Sequence, residues 1–406
     1  DPQGAQVVHG QASFSRPDAS TLNVTNSPNA IIHWQSFSVG SGETTRFIQP
    51  SSSSAVLNRV IGGNASAILG RLQSNGRVFL VNPQGIVFGP DAVIDTAGLV
   101  ASTLDIANED FLAGRLDFAG PGGSGSIENE GFIKVGPDGS VFLIAPNIRN
   151  SGVIETEGGR LVLAAGESVK LVSLDSEFVS FTVQAPEHEV VNLGSLLTGG
   201  GAASLFAGTI RQQGHVNANA VVRDAGGAIR LVAKHDIEVG VGSVTSADGP
   251  SGGSVFIDAQ AGRTDIEGTV SAQGDAGAGG AISVLGETVV LGAGGEVDAS
   301  GAAGGGSVQV GGRYRGLDAA THNAAFTGIA SDAVVRADAT ASGAGGEVIV
   351  WSERQTIVNG AISARGADGG DGGFVETSSR GHFVVNQVPD VGGGTWLIDP
   401  EDIVIC

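Results

Sequence analysis

The sequence predicts an all-β protein: a right-handed parallel β-helix, or solenoid, with an N-terminal β cap and small extra-helical hairpins and loops. Three observations lead there. Gly-Gly pairs recur at Gly226, Gly252, Gly279, Gly305, Gly345 and Gly372, in steps of 26, 27, 26, 40 and 27 residues. Each pair precedes a short alternating strand: "AIRLVA", "SVFIDA", "AISVLG", "SVQVGG", "EVIVWS", "FVETSS". No long segment carries a convincing 3.6-residue apolar period. A unit of this size cannot bury its own apolar face, but stacked units can. About 26 residues is too short for a propeller blade and fits one coil of two or three strands.

Taken in order, the irregular first ~60 residues read as the cap that hides the open end of a solenoid. "ASAILGRLQ", from Ala65 to Gln73, reads as one short helix. "GRVFLVNPQGIVFGPDAVIDTAGLVAST", from Gly76, reads as strands joined by tight turns. "IENEGFI" at Ile127 and "IRNSGVI" at Ile148 place coils 21 residues apart, so coiling begins by about residue 125 or earlier. In the regular repeats, period-two alternation points Val255 and Ile257 inward and Phe256 outward, and Val308 and Val310 inward with Gln309 outward. Glycine and Asp/Ser clusters mark corners, where a positive φ is often needed. The long step holds an insertion, Arg313 to Phe326, expected to leave the stack as a loop. The ending "TWLIDPEDIVIC" reads as a strand cut short, so the chain is expected to be the N-terminal part of something longer.

Composition narrows function. The net charge is −21, which offers no basic face for nucleic acid and disfavours an anionic membrane. The single cysteine, Cys406, permits no internal disulfide and no Cys-based zinc site. No apolar run approaches the ~18–20 residues of a membrane helix. Methionine is absent and the chain begins Asp1-Pro2-Gln3, which suits a secreted protein whose leader has been removed.

Short motif matches carry little chemistry. "GPSGG" around Ser251 fits a nucleophile elbow only between a strand and a helix, and no helix is expected there. "GPGGSG" from Gly120 is followed by strand-like residues, so no helix N-terminus awaits a pyrophosphate. "GADGGDGGF" from Gly366 lacks the tandem register of a calcium nonapeptide and reads as turn. No histidine pair has metal-ligand spacing on a helix. Glu155 and Glu157 share one strand face, as ordinary wet-face residues do. Asn23 and Asn64 lie in glycosylation sequons. No catalytic residue, cofactor site or metal site is expected.

A set of N-terminal phrases is more specific: "VVHGQASF" from Val7, "NSPNAIIHWQSFSV" from Asn26, "SAVLNRVIGG" from Ser54 and "SNGRVFLVNPQGIVFGPDAVIDTAGLVASTLDI" from Ser74. They resemble the secretion domain of two-partner secretion exoproteins (TpsA). That is the filamentous haemagglutinin and high-molecular-weight adhesin-like family of Gram-negative bacteria. The family hallmark Asn-Pro-Asn-Gly-Ile stands here as Asn82-Pro83-Gln84-Gly85-Ile86. A second hallmark, Asn-Pro-Asn-Leu, is replaced by "QPSSSS" from Gln49, as in the adhesin and haem–haemopexin branch.

The resemblance implies a secretion motif at Asn82, Pro83, Gln84, Gly85 and Ile86 for folding or transporter recognition. Asn58, Arg59, Asn26, Asn29 and Trp34 are secondary candidates. In local physical terms, Asn82 suits an Asx turn, Pro83 fixes φ and Gly85 accepts a positive φ. The implied partner is an outer-membrane TpsB (Omp85-type) transporter with POTRA domains. The implied route is signal peptide, periplasm, then secretion or display at the cell surface. Residues 1–235 are expected to be the secretion domain, and 236–406 the continuing repeats of an adhesin stalk. A polysaccharide or host-cell receptor would be met by regions beyond residue 406. A monomer without enzymatic activity is expected. The alternatives are a polysaccharide-degrading β-helix enzyme, or the same export route with a haem-acquisition or contact-dependent toxin payload.

Overall fold

A computed structural model describes residues 1–120, 125–171, 179–182, 188–221, 226–318 and 320–399. The chain divides into two compact units. The first holds Asp1–Thr198 with Ser204–Gly208, and the second Gly199–Ala203 with Thr209–Cys406. Strands dominate both, and each unit is a parallel β-helix with three strands per coil.

One coil of the first unit shows the path. Arg77–Val81 runs along the first face, Ile86–Phe88 along the second, and Val93–Thr96 along the third. Gly98–Ser102 then returns to the first face, parallel to Arg77–Val81 and in register with it. Period-two alternation turns into vertical columns because the register is exact from coil to coil. Val78, Leu99, Val141 and Leu161 stack on the first face. Leu72, Ile94, Ile133, Ile154 and Leu196 stack on the third. All of these side chains are fully buried. On the second face Asn129, Asn150 and Asn192 form a buried amide ladder, Nδ2 donating to Oδ1 at 2.8 Å in both steps. That ladder satisfies polar groups that would otherwise be orphaned in the core.

The cap is shorter than the sequence suggests. Gln6–His9 pairs antiparallel with Ala30–Trp34, and Ala12–Asp18 pairs antiparallel with Thr21–Asn26. From Thr21–Asn26 onward the stacking is already parallel, onto Thr44–Ile48. The expected helix over residues 65–73 is also absent. Ser66–Ile68 and Arg71–Ser74 are strands, bonded in parallel to Ile86–Phe88 and to Val93–Thr96. Nine residues hold a weak helical preference, and pairing to neighbouring coils overrides it. Among the described residues the α-helix of the first unit is Asn108–Leu112, a single turn outside the stack.

Outside the stack lies a four-stranded antiparallel sheet: Asp105–Ile106, Leu116–Ala119, Ser168–Leu171 and Val179–Thr182. It explains a break in the alternation. The outward column Phe79, Val100, Phe142 and Val162 is as buried as the inward one. Phe111 of the one-turn helix meets Phe79 edge-on, with ring centroids 5.1 Å apart. The expected extra-helical elements are therefore a second layer with its own apolar contact.

In the second unit Val255, Ile282, Val308, Val348 and Val375 form the inward column, fully buried. Phe256 and Gln309 point out, as the alternation predicts. The Gly-Gly pairs have a different cause from the one expected. None of them has a positive φ. A Cβ on Gly252, Gly279 or Gly305 would lie 2.1, 1.7 or 2.0 Å from a carbonyl oxygen of the next coil. A Cβ on Gly253, Gly280 or Gly306 would lie 2.0–2.1 Å from the carbonyl oxygen of the matching glycine one coil earlier. Coil-to-coil crowding, not turn geometry, demands glycine there.

Insertions leave at one corner of the coil. Residues 105–119 depart after Gly98–Ser102 on the first face, and the strands Ser168–Leu171 and Val179–Thr182 follow Arg160–Ala165. In the second unit Arg313 to Phe326 departs after Ser307–Val310. The repeat resumes on the second face each time.

Candidate functional site

Asn82 lies at the corner between Arg77–Val81 and Ile86–Phe88, and its side chain is fully buried. Its Oδ1 accepts the Gln84 amide at 3.0 Å, the Asx turn that the residue type favours. Its carbonyl accepts the Gly85 amide at 3.1 Å, closing a tight turn. Gly85 has φ +120°, a conformation that a residue with Cβ rarely adopts. The amide nitrogen of Asn82 points across the stack, donating to Asn64 O at 3.0 Å and Ser66 Oγ at 2.9 Å. On the other side, Ser102 O accepts the Asn82 backbone amide and Ser126 O accepts that of Ile86. The turn is thereby bonded to the coils before and after it. Pro83 is half-buried, Gln84 is exposed, and Ile86 is buried in the core.

Gln49 performs a similar task where the second hallmark is missing. It is 5% exposed, and its side-chain amide donates to Ser74 Oγ at 3.1 Å and Arg77 O at 3.0 Å. Gln49 and Asn75 also exchange two hydrogen bonds through the Gln49 backbone, at 2.8 and 2.7 Å. The Ser51–Ser54 turn follows, closed by the Ser54 amide to Ser51 O and held by Ser54 Oγ accepting from the Ser51 amide.

The secondary candidates fall into separate groups. Trp34 Nε1 donates to Asn58 Oδ1 at 3.0 Å, and Asn58 Nδ2 donates to Phe79 O at 3.2 Å. Trp34 is also edge-on to Phe14 and Phe37, and Phe37 stacks on Phe47. Asn26 is buried and donates to Ser27 O at 2.8 Å. Asn29 takes φ +58°, a left-handed turn position suited to asparagine.

Arg59 is a staple between stack and outer layer. Its guanidinium meets Asp105 Oδ1 at 2.8 Å, Asn108 Oδ1 at 2.6 Å and the Ile106 carbonyl. It also donates to His33 Nε2 at 3.0 Å. Burial, and then the Arg59 charge, hold His33 below its usual value, which keeps that nitrogen an acceptor. Phe14, Phe37, Phe47 and Phe111 were not singled out from sequence, and Asn64 was read only as a glycosylation sequon. Their roles depend on which coil lies above which, and no local pattern encodes that.

None of these groups is arranged for bond-making chemistry. The candidates are turn, core and anchor residues. Among the described residues no cluster of His, Cys, Asp and Glu could hold a metal ion. A groove of about 360 Å³ beside Arg77, Phe79, Val100 and Asp138 contains no carboxylate pair.

The sequence pattern of the TPS secretion domain matches residues 1–239. The chain belongs to the TPS secretion domain family. That family is a secretion domain, not an enzyme family. The chain is similar throughout to the crystal structure of the HMW1 secretion domain from Haemophilus influenzae. The two are 35% identical, with a TM-score of 0.81 over 98% of this chain and 100% of that one. Two curated relatives are heme/hemopexin-binding proteins of Haemophilus influenzae, the first from strain ATCC 51907 / DSM 11121 / KW20 / Rd. The first is 32% identical over 206 residues, 49% of this chain and 23% of the relative. The second is 40% identical over 106 residues, 26% of this chain and 11% of the relative. The chain thus spans about a quarter or less of the length of these relatives. As a TPS secretion domain, it combines capped N-terminal coils with the corner turn at Asn82.

Proposed function

We propose that this chain is the N-terminal portion of a two-partner secretion exoprotein. In this reading residues 1–235 are recognised by an outer-membrane TpsB transporter, whose POTRA domains meet the chain in the periplasm. Residues 236–406 are the first repeats of the exported stalk, and the product is secreted or displayed at the cell surface. The observation that carries the reading is the family match over residues 1–239.

The geometry at Asn82 supports a role for the motif in that route. Its side chain is buried and bonded to the preceding coil, which supports a role in setting the fold. Gln84, at the exposed tip, is the part a transporter can touch in the folded state. The Asn82→Ala/Pro83→Ala double variant is expected to be retained in the periplasm and degraded. Quantifying exported protein in cells carrying the cognate transporter tests this, and normal surface yield ends the motif's functional role. Gln84→Ala separates the two contributions: reduced export with unchanged stability would assign direct recognition to the turn tip.

For the mature product, capture of haem or a haem-carrying protein is supported by the names of the two curated relatives. Adhesion is the other reading. Retention of the full-length exoprotein on haemopexin resin favours the first, and cell binding without such retention the second.

A further inference from the structure

The insertion from Arg313 to Phe326 is seated on the outer side of the first face in the second unit. A Cβ on Gly316 would lie 2.4 Å from the ring of Trp351, so the backbone lies flat on the indole. Trp351 is 2% exposed. Arg315 and Gly316 both have positive φ, at 54° and 62°. The segment is closed on itself by Asn323 Nδ2 donating to Gly316 O at 3.1 Å, and by the Arg313–Asp318 ion pair at 2.8 Å. Two carboxylates lie at its edges. Glu376 stands in the outward column beside Ile349 and is fully buried. Both its oxygens accept from the Arg315 backbone amide, at 3.3 and 3.1 Å. Asp258 is 9% exposed, and its Oδ1 has no hydrogen-bond partner. His322 of the insertion reaches that oxygen only at 3.7 Å, while its other nitrogen stands 3.6 Å from Glu287.

We propose that the Arg313–Phe326 segment is a proton-dependent strap, which seats over Trp351 in mild acid and lifts as the pH rises. The sign follows from which state holds the proton. With the strap seated, Glu376 is cut off from water and faces the Arg315 amide, the Ser378 hydroxyl, the Arg315 guanidinium and Asp399. Burial, with Asp399 adding to it, pushes this carboxyl above its ordinary value against the hydrogen bonds and the Arg315 charge. Asp258 is pushed up by burial too, opposed by His322, Arg230 and Lys234. A lifted strap returns both groups to water and to ordinary values. The seated state therefore binds protons more tightly. It is favoured below the ordinary carboxylate range and loses ground as pH rises through the seated-state values.

Hydrogen exchange of the full chain, corrected for intrinsic rates, measures strap opening directly. Protection over residues 313–326 is expected to fall from pH 5 to pH 8, by up to about tenfold per pH unit for each carboxylate engaged. Protection over Ser140–Ala145, in the first unit, serves as the internal control. Glu376→Gln, which fixes the neutral form in nearly the same shape, should leave the strap protected with a clearly shallower slope. Protection that is flat or rises with pH in the unaltered chain overturns the proposal, as does a full slope in Glu376→Gln. Should that variant fail to fold, Asp258→Asn takes its place, with a reduced slope expected and an unchanged slope overturning the proposal.

Discussion

Asn82 and Gln49 solve one problem with side chains of different length. Each leaves a corner, crosses to a neighbouring coil and satisfies polar groups there. Removing the Asn82 amide leaves the buried Ser66 Oγ without that donor, along with the carbonyl of the exposed Asn64. Asn82→Ala should therefore lower unfolding stability by about 1–3 kcal/mol. Gln84→Ala, at an exposed position, should change it by less than about 0.5 kcal/mol. Urea titrations of the two variants beside the unaltered chain check both values. The Asx turn and the positive φ of Gly85 were legible from residue types alone. The cross-coil bonds were not, because they depend on which residues the register brings level.

At the scale of elements, the stacking decides local conformation more firmly than local propensity does. Residues 65–73 read as helix in isolation and are strands in the stack. The glycine pairs show the same dominance: their spacing was legible, but their cause lies in the adjoining coil. Gly280→Ala would place Cβ 2.0 Å from Gly253 O, so the backbone must shift. A loss of at least about 1–3 kcal/mol is expected, the usual range for overpacking, read as a lower urea midpoint. The outer sheet depends on a different contact. Arg59→Ala removes the anchor to Asp105, Ile106 and Asn108, and exchange over residues 105–119 should speed up. Exchange over Ser140–Ala145, in the stack itself, should change little.

Across the whole molecule, repeat spacing and alternation made the β-helix legible, because a coil's inward column reappears at fixed intervals in sequence. The buried outward column Phe79, Val100, Phe142 and Val162 was not legible as a docking floor. A strand buried on both sides looks only like a more apolar strand. Buried acid groups also give the second unit a pH dependence. Burial holds Asp248, Asp258 and Glu376 above the usual carboxylate range. Their folded forms keep protons that the unfolded chain releases. Their contribution is full below the unfolded values and lost as pH rises through the folded ones. Thermal unfolding of the second unit should thus occur at higher temperature at pH 5 than at pH 8. Combining Asp248→Asn, Asp258→Asn and Glu376→Gln should shrink that difference.

The single departure corner sets rules for how such a chain can change over evolutionary time. Copying a whole rung carries its paired glycines along and leaves every clearance intact, so lengthening by duplication is open. A residue added inside a paired strand would shift its register, whereas the link from the third face back to the first already varies between seven and ten residues with the register kept. The large ornaments hang at that corner, and the strands behind them keep their pairing.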